Sequence, residues 1–353
     1  MKKFCVFSGF LGSGKTTTMM ALTKYLSQTG QKAAMISNDL GNQSLADNKL
    51  ASLSGCNASE LTGKCICYQT ENLVARLDRL FDTEGCQLVI SDIPGFGVGA
   101  LDHVYHTLNK HYYGRYALAP FTVLVEPRTA QLLRENRGGD LSYILHTQLL
   151  EADLIVLNKC DLLDSQTQEE TLAWLTARYP HAQAVAISAL TGQGLENLAQ
   201  ALTQGTASLH LPDIGYGGPA FSAAMGKMAE FYMQYYATVC CKDFDGNNYL
   251  LALAQAAAKG VREAGGEIPH LKLLAWEPEG DYGKADLLGV DRPVETVKRF
   301  QKPCTELAVM LNASAACPSE TLSQILTEAA DRVSREFQLE LVIYKQECFG
   351  MGG

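Results

Sequence analysis

The chain has 353 residues, 47% of them hydrophobic, with 29 Lys and Arg against 38 Asp and Glu and a formal net charge of −9. That length exceeds one comfortable hydrophobic core, so two domains are expected. The acidic balance argues against a nucleic-acid partner, which demands a basic face, and no apolar stretch approaches the roughly 20 residues of a membrane span.

Met1-Lys2-Lys3 leads directly into a short apolar strand at 4–7, so no signal peptide is expected and the eleven cysteines should be thiols in a reducing cytoplasm. The strand ends in Gly9-Phe10-Leu11-Gly12-Ser13-Gly14-Lys15-Thr16, which matches G-x-x-x-x-G-K-[ST] in every position. Thr17 and the apolar run after it open a helix. Gly9, Gly12 and Gly14 let backbone amides close around phosphate oxygens, and the helix N-terminus adds its positive dipole end. Ser13 and Thr17 belong to the same cradle. Lys15 would reach the β- and γ-phosphates, and the Thr16 hydroxyl would join a Mg²⁺ shell. The expected ligand is a nucleoside triphosphate.

Buried strands are expected at 32–37, 86–91, 121–125, 154–157 and 184–187, as continuous apolar runs of the kind that suit a parallel sheet covered on both faces. Helices are expected at 71–81, 168–179 and 195–203. The fold class is α/β, a doubly wound and mostly parallel sheet whose ligands bind at the carboxyl ends of strands. The second strand ends in Asn38-Asp39-Leu40-Gly41, where Asp39 would polarise the attacking water or join the metal shell. The third ends in Asp92-Ile93-Pro94-Gly95, a D-x-x-G pattern. Asp92 would hold Mg²⁺, and the Gly95 amide would sense the γ-phosphate.

Asn158-Lys159-Cys160-Asp161 follows the strand at 154–157 and fits the guanine-specifying N-K-x-D pattern. The Asp161 carboxylate would accept from guanine N1–H and its exocyclic amine together, whereas adenine presents a lone pair at N1. Ser188-Ala189-Leu190 after the next strand matches the small-residue loop that lets an amide reach guanine O6.

Gly and Pro at 205–219 mark a break in the chain. The division expected is residues 1–205 for nucleotide, 206–219 as linker and 220–353 as a smaller α+β domain. In the last, strands at 231–241, 271–276, 306–313 and 339–344 with helices at 247–264 and 318–337 suggest a βαββαβ order. Residues 284–300 fit no element cleanly.

Together, G-F-L-G-S-G-K-T-T, N-D-L-G, the C-I-C segment and the run from Gln148 to Lys159 (Q-L-L-E-A-D-L-I-V-L-N-K) resemble the CobW-like GTPases. These form the metallochaperone branch that includes the nickel-insertion GTPases of urease and hydrogenase. The resemblance covers about residues 1–205 and implies a GTP-hydrolysing switch. That family places Glu where this chain has Asp39, and Glu-x-x-Gly where it has Asp92 to Gly95. Both changes keep a carboxylate.

The resemblance also aligns Lys64-Cys65-Ile66-Cys67-Tyr68 with the family's metal motif, G-C-x-C-C. Two thiolates at Cys65 and Cys67 can clasp Zn²⁺, Co²⁺ or Ni²⁺, with Lys64 favouring thiolate. Tyr68 replaces the third cysteine, so a third ligand would come from Cys56, Glu60 or a histidine. His103, His106 and His111 read as a solvated helix face. Cys240 and Cys241 point to opposite faces of a strand and should not share an ion. The C-terminal domain lacks the histidine-rich tract of some family members and is expected to bind a client protein.

The expectation is a cytoplasmic GTPase that gates delivery of a metal or metal-containing cofactor to a client, homo-oligomeric or not. The rival is a GTP-gated chaperone or reactivase of a cofactor-dependent enzyme, such as a cobalamin enzyme, without free metal. A small-molecule kinase is disfavoured, because N-K-x-D has no task there.

Overall fold

Parallel strands carry the first half of the molecule. In the computed structural model, which describes residues 2–38, 55–136, 142–240, 242–278 and 280–351, the chain divides into two units, Met1–Ala224 and Met225–Gly353. The first contains β1 (Lys3–Ser8), β2 (Ala33–Asn38), β3 (Ala58–Leu61), β4 (Leu88–Asp92), β5 (Ala117–Leu118), β6 (Thr122–Val125), β7 (Leu154–Leu157) and β8 (Gln183–Ala186). Their order is β3-β2-β4-β1-β6-β7-β8, with β5 also against β1, and every pairing is parallel.

Continuous apolar runs become two-sided strands for a simple reason. Successive side chains point to opposite faces. Phe4 and Val6 pack with Leu73, Leu101 and Leu149 on one side of the sheet. Cys5 and Phe7 pack with Met19, Leu22 and Leu198 on the other. Helices Lys15–Gln28, Thr70–Asp78, Ser142–Glu151, Ser165–Arg178 and Leu195–Gln204 supply those partners, apart from Leu101, which opens the wider helical segment Leu101–His106. The helix expected to reach residue 81 ends its α geometry at Asp78 and widens through Arg79–Thr83. Register then aligns the strand ends that matter: Phe7 pairs with Asp92, and Asn38 pairs with Leu61. Among the described residues no helix is long and apolar enough to cross a membrane.

The second unit is one antiparallel sheet of β9 (Ala229–Val239), β10 (Glu267–Trp276), β11 (Tyr282–Leu287), β12 (Glu295–Lys298), β13 (Glu306–Ala316) and β14 (Leu339–Gly350). The order is β12-β11-β10-β13-β9-β14. Helices Gly246–Glu263 and Ser319–Glu336 pack on its apolar side. The first begins at Asp245, whose carboxylate accepts from the Asn247 and Asn248 amides at 2.9 and 3.1 Å, a cap contributing about 1 kcal/mol. It then buries Tyr249, Leu250, Leu253, Ala254, Ala257 and Val261 at helical spacing. The order is therefore βαββββαβ, a correction to βαββαβ. The added β11 and β12 lie where the sequence pattern failed, because β12 is largely exposed and has no apolar side to repeat.

Candidate functional site

The turn after β1 is shaped by what glycine alone permits. Gly9, Gly12 and Gly14 have φ of 130°, 77° and 89°, in the region side chains rarely adopt. A Cβ on Gly9 would stand 2.3 Å from the Leu124 carbonyl oxygen, and one on Gly14 would stand 2.2 Å from Asn158 Nδ2. Lys15 Nζ donates to the Gly9 carbonyl at 2.6 Å, and the Thr18 hydroxyl to the Gly14 carbonyl at 2.9 Å. The Ser13 hydroxyl of this loop is buried without a hydrogen-bond partner among the described residues, an arrangement suited to an oxygen-rich ligand. Thr16 and Thr17 occupy the first helical turn.

Asn158, 2% exposed just past the end of β7, ties that loop to the residues expected to read the base. Its Nδ2 donates to the Ser13 carbonyl at 2.9 Å, and its Oδ1 accepts from the Ala189 amide at 3.1 Å. Lys159 follows in a left-handed conformation with φ 63°, and its ammonium lies 3.8 Å from Glu126. Asp161 is exposed beside it. Ser188 is fully buried, and its hydroxyl accepts from the Thr191 amide at 3.1 Å, while Leu190 stands exposed on the loop. These residues come together; Asp39 lies outside the described residues.

Asp92 is 6% exposed at the end of β4. Its Oδ1 accepts from the Asn38 amide at 2.8 Å. The loop after it rests against the phosphate loop: a Cβ on Gly95 would meet the Leu11 side chain at 2.4 Å, and Phe96 meets Phe10 edge-on at 5.6 Å. Helix Ser142–Glu151 fixes the same loop from behind. Gln148 Nε2 donates to the Gly95 and Gly97 carbonyls at 3.0 and 2.9 Å, and Glu151 accepts from the Gly99 and Leu101 amides at 2.8 and 3.0 Å. Burial raises the Glu151 carboxyl to about 7 against the pull of those two amides. Sequence reading missed both roles. The only signal was their spacing of one helical turn in the family-like run.

The cysteine turn follows β3. Cys65 and Cys67 have their sulfurs 2.9 Å apart in a shared hydrogen bond. That bond makes Cys65 the easier thiol to ionise, and the same bond with burial pushes Cys67 well up. The lowering thus comes from the partner cysteine; Lys64 is exposed. Among the described residues no three His, Cys, Asp or Glu side chains are grouped to hold a metal, so neither Cys56 nor Glu60 nor a histidine completes the pair there. Cys56 instead packs with the opposite face of the sheet.

Two further readings are corrected. Only His111 of the three histidines is exposed; the His103 ring packs on Tyr216 at 4.9 Å and on Tyr68 at 5.9 Å, and those two tyrosines hydrogen-bond each other at 2.5 Å. Strand β9 ends at Val239, so Cys240 lies past it and Cys241 outside the described residues.

Residues 3–186 match the model of the CobW/HypB/UreG nucleotide-binding domain. The chain is 26% identical over 203 residues to the zinc chaperone CobW of Pseudomonas aeruginosa, covering 50% of this chain and 54% of the relative, so it spans about half that relative's length. Among solved structures, HypB of Helicobacter pylori in complex with nickel is 18% identical with a TM-score of 0.41, over 57% of this chain and 85% of that one. The zinc-bound YjiA GTPase of E. coli is 14% identical with a TM-score of 0.39, over 93% and 98%.

Proposed function

The chain belongs to the CobW/HypB/UreG nucleotide-binding family, and on that premise we propose that it is a GTP-hydrolysing switch that gates delivery of a metal ion, or a metal-containing cofactor, to a client protein. The observation that carries the reading is positional. The phosphate loop, Asp92 and the cysteine turn leave the carboxyl ends of β1, β4 and β3, which share one edge of one sheet, the edge where such sheets bind ligands. The relative named a zinc chaperone supports the cargo class.

In this reading the loop amides of residues 9–16 and Lys15 hold the phosphates, and the Asp161 carboxylate selects guanine against the Ser188-Ala189-Leu190 loop. Hard oxygen donors at Thr16 and Asp92 suit Mg²⁺, which when bound would neutralise charge on the phosphates. Asp39 would orient the attacking water. Gln148 and Glu151 keep the loop after Asp92 at a fixed distance from the phosphate loop, so loss of a phosphate is felt there. Hydrolysis is slow until a client completes the site. Cys65 and Cys67 clasp the cargo, zinc, cobalt or nickel; the pair's own hydrogen bond favours the thiolate at Cys65 and holds the proton on Cys67. The C-terminal unit is the client platform.

A second reading is a GTP-gated protein chaperone that never holds free metal. It is favoured by Tyr68, whose hydroxyl is engaged by Tyr216 where the family has its third cysteine. Capture of the client from its own cell extract, with a non-hydrolysable GTP analogue and then with GDP, tests the shared claim, and binding equal in both states contradicts it. Zinc retained by purified protein and lost in Cys65→Ser with Cys67→Ser supports delivery; zinc-free protein with nucleotide-dependent client binding supports the chaperone.

A further inference from the structure

We infer that Asn38 is the positioning residue through which nucleotide state reaches the cysteine turn. The inference rests on the reading of Asp92 and of Cys65 with Cys67 given above, and adds the physical connection between them. Asn38 is 4% exposed at the last position of β2. Its backbone amide donates to Asp92 Oδ1 at 2.8 Å. Its side chain turns the other way, with both donors used and its oxygen engaged. Nδ2 donates to the Leu61 carbonyl at 3.0 Å and to the Lys64 carbonyl at 2.9 Å, and Oδ1 accepts from the Ile66 amide at 2.9 Å.

Lys64 and Ile66 are the two neighbours of Cys65. One primary amide therefore brackets the cysteine on both sides, while the same residue's main chain holds the acid. Asn38 pairs with Leu61 in the β2–β3 ladder, so sheet bonds hold its backbone beside the turn. A buried amide with every donor used has no cheap alternative geometry, because a donor or acceptor left unmet there keeps its full desolvation cost. A shift of the Asp92 carboxylate between nucleotide states would draw on the Asn38 amide. It is passed to the Lys64 carbonyl and the Ile66 amide together, and so to the Cys65 sulfur and its partner on Cys67. Asn38 touches neither nucleotide nor cargo and acts through both neighbours.

The test is the ratio of zinc affinities in the GTP-analogue and GDP forms of the full chain, in wild type and in Asn38→Ala. Couplings of this kind are about 5- to 150-fold, and the variant should bring the ratio to within about twofold of one while GTP affinity stays at the wild-type value. A residue that merely braces the turn would lower both zinc affinities together and keep their ratio; that outcome overturns the inference and leaves the proposed function standing. A wild-type ratio of one overturns the metal-delivery reading itself. If Asn38→Ala does not fold, hydrogen exchange on the wild-type protein decides. Protection of the Ile66 amide should differ between the GTP-analogue and GDP forms, and equal protection contradicts the inference.

Discussion

Two asparagines at strand ends do the same structural task at opposite ends of the candidate site, with different consequences. The Asn158 side chain joins the Ser13 carbonyl to the Ala189 amide, so both of its partners belong to loops assigned above to nucleotide. Asn38 joins Asp92 to the residues around Cys65, so its partners belong to two different chemistries. Both are nearly inaccessible, at 2% and 4%. A bracket within one site makes that site rigid. A bracket between two sites makes each sensitive to the other, since coupling between sites is reciprocal.

The largest effect expected is at the phosphate end, where the comparison can be broken outright. Lys15→Ala removes the cation of the phosphate loop, so single-turnover hydrolysis should fall about 10³-fold; wild-type rates would contradict the site. Next is the base end. Asp161→Asn exchanges an acceptor-only group for one that also donates, and xanthine has an oxygen where guanine has its amine. Preference between GTP and XTP should move by about 10²-fold or more in competition, and unchanged selectivity would mean that Asp161 does not read the base.

A third effect sharpens the comparison through the helix that holds the loop after Asp92. The Glu151 carboxyl is raised from 4.5 to about 7 by burial, so the folded state binds its proton more tightly than the unfolded state does. Stability from this group is therefore present at pH 4.5, is lost as pH rises toward 7, and is flat above. The span corresponds to about 3 kcal/mol. Urea unfolding of wild type and Glu151→Gln at pH 5 and pH 8 should show the difference between them changing by up to that amount in that direction; a pH-independent difference would contradict the assignment.

The fourth is the mildest for the molecule. Cys65→Ser with Cys67→Ser should abolish zinc binding in equilibrium dialysis while leaving GTP affinity, measured without zinc, within about twofold, because the coupling of about 1–3 kcal/mol acts only when metal is bound. A large loss of GTP affinity would place the cysteines inside the nucleotide site.

What was legible in the chain follows the same division. Gly9 to Thr16 is readable because backbone conformation demands glycine at fixed spacing, and Asn158 to Asp161 because base chemistry demands those side chains. Asn38 was passed over. An asparagine at a strand end is ordinary, and its partners Leu61, Lys64 and Ile66 come within reach only when β2 pairs with β3. That short strand was itself not expected, being half-buried and without an apolar run. Gln148 and Glu151 were visible as part of a family-like run, but their hold on residues 95–101 depends on how the helix lies over the sheet. The second unit was legible where its helices bury one face, and illegible where Glu295–Lys298 runs exposed along the sheet edge.

The central claim, that guanine nucleotide and metal are bound by one linked device, is tested most directly by closing the thermodynamic cycle on the wild-type protein. Zinc is titrated into the GTP-analogue and GDP forms, and the two nucleotides are titrated with and without zinc. The account predicts that zinc affinity differs between the two nucleotide forms, and that zinc shifts the relative affinity for the two nucleotides by the same factor, about 5- to 150-fold. Zinc affinity equal in both forms, with nucleotide affinities indifferent to zinc, would contradict it.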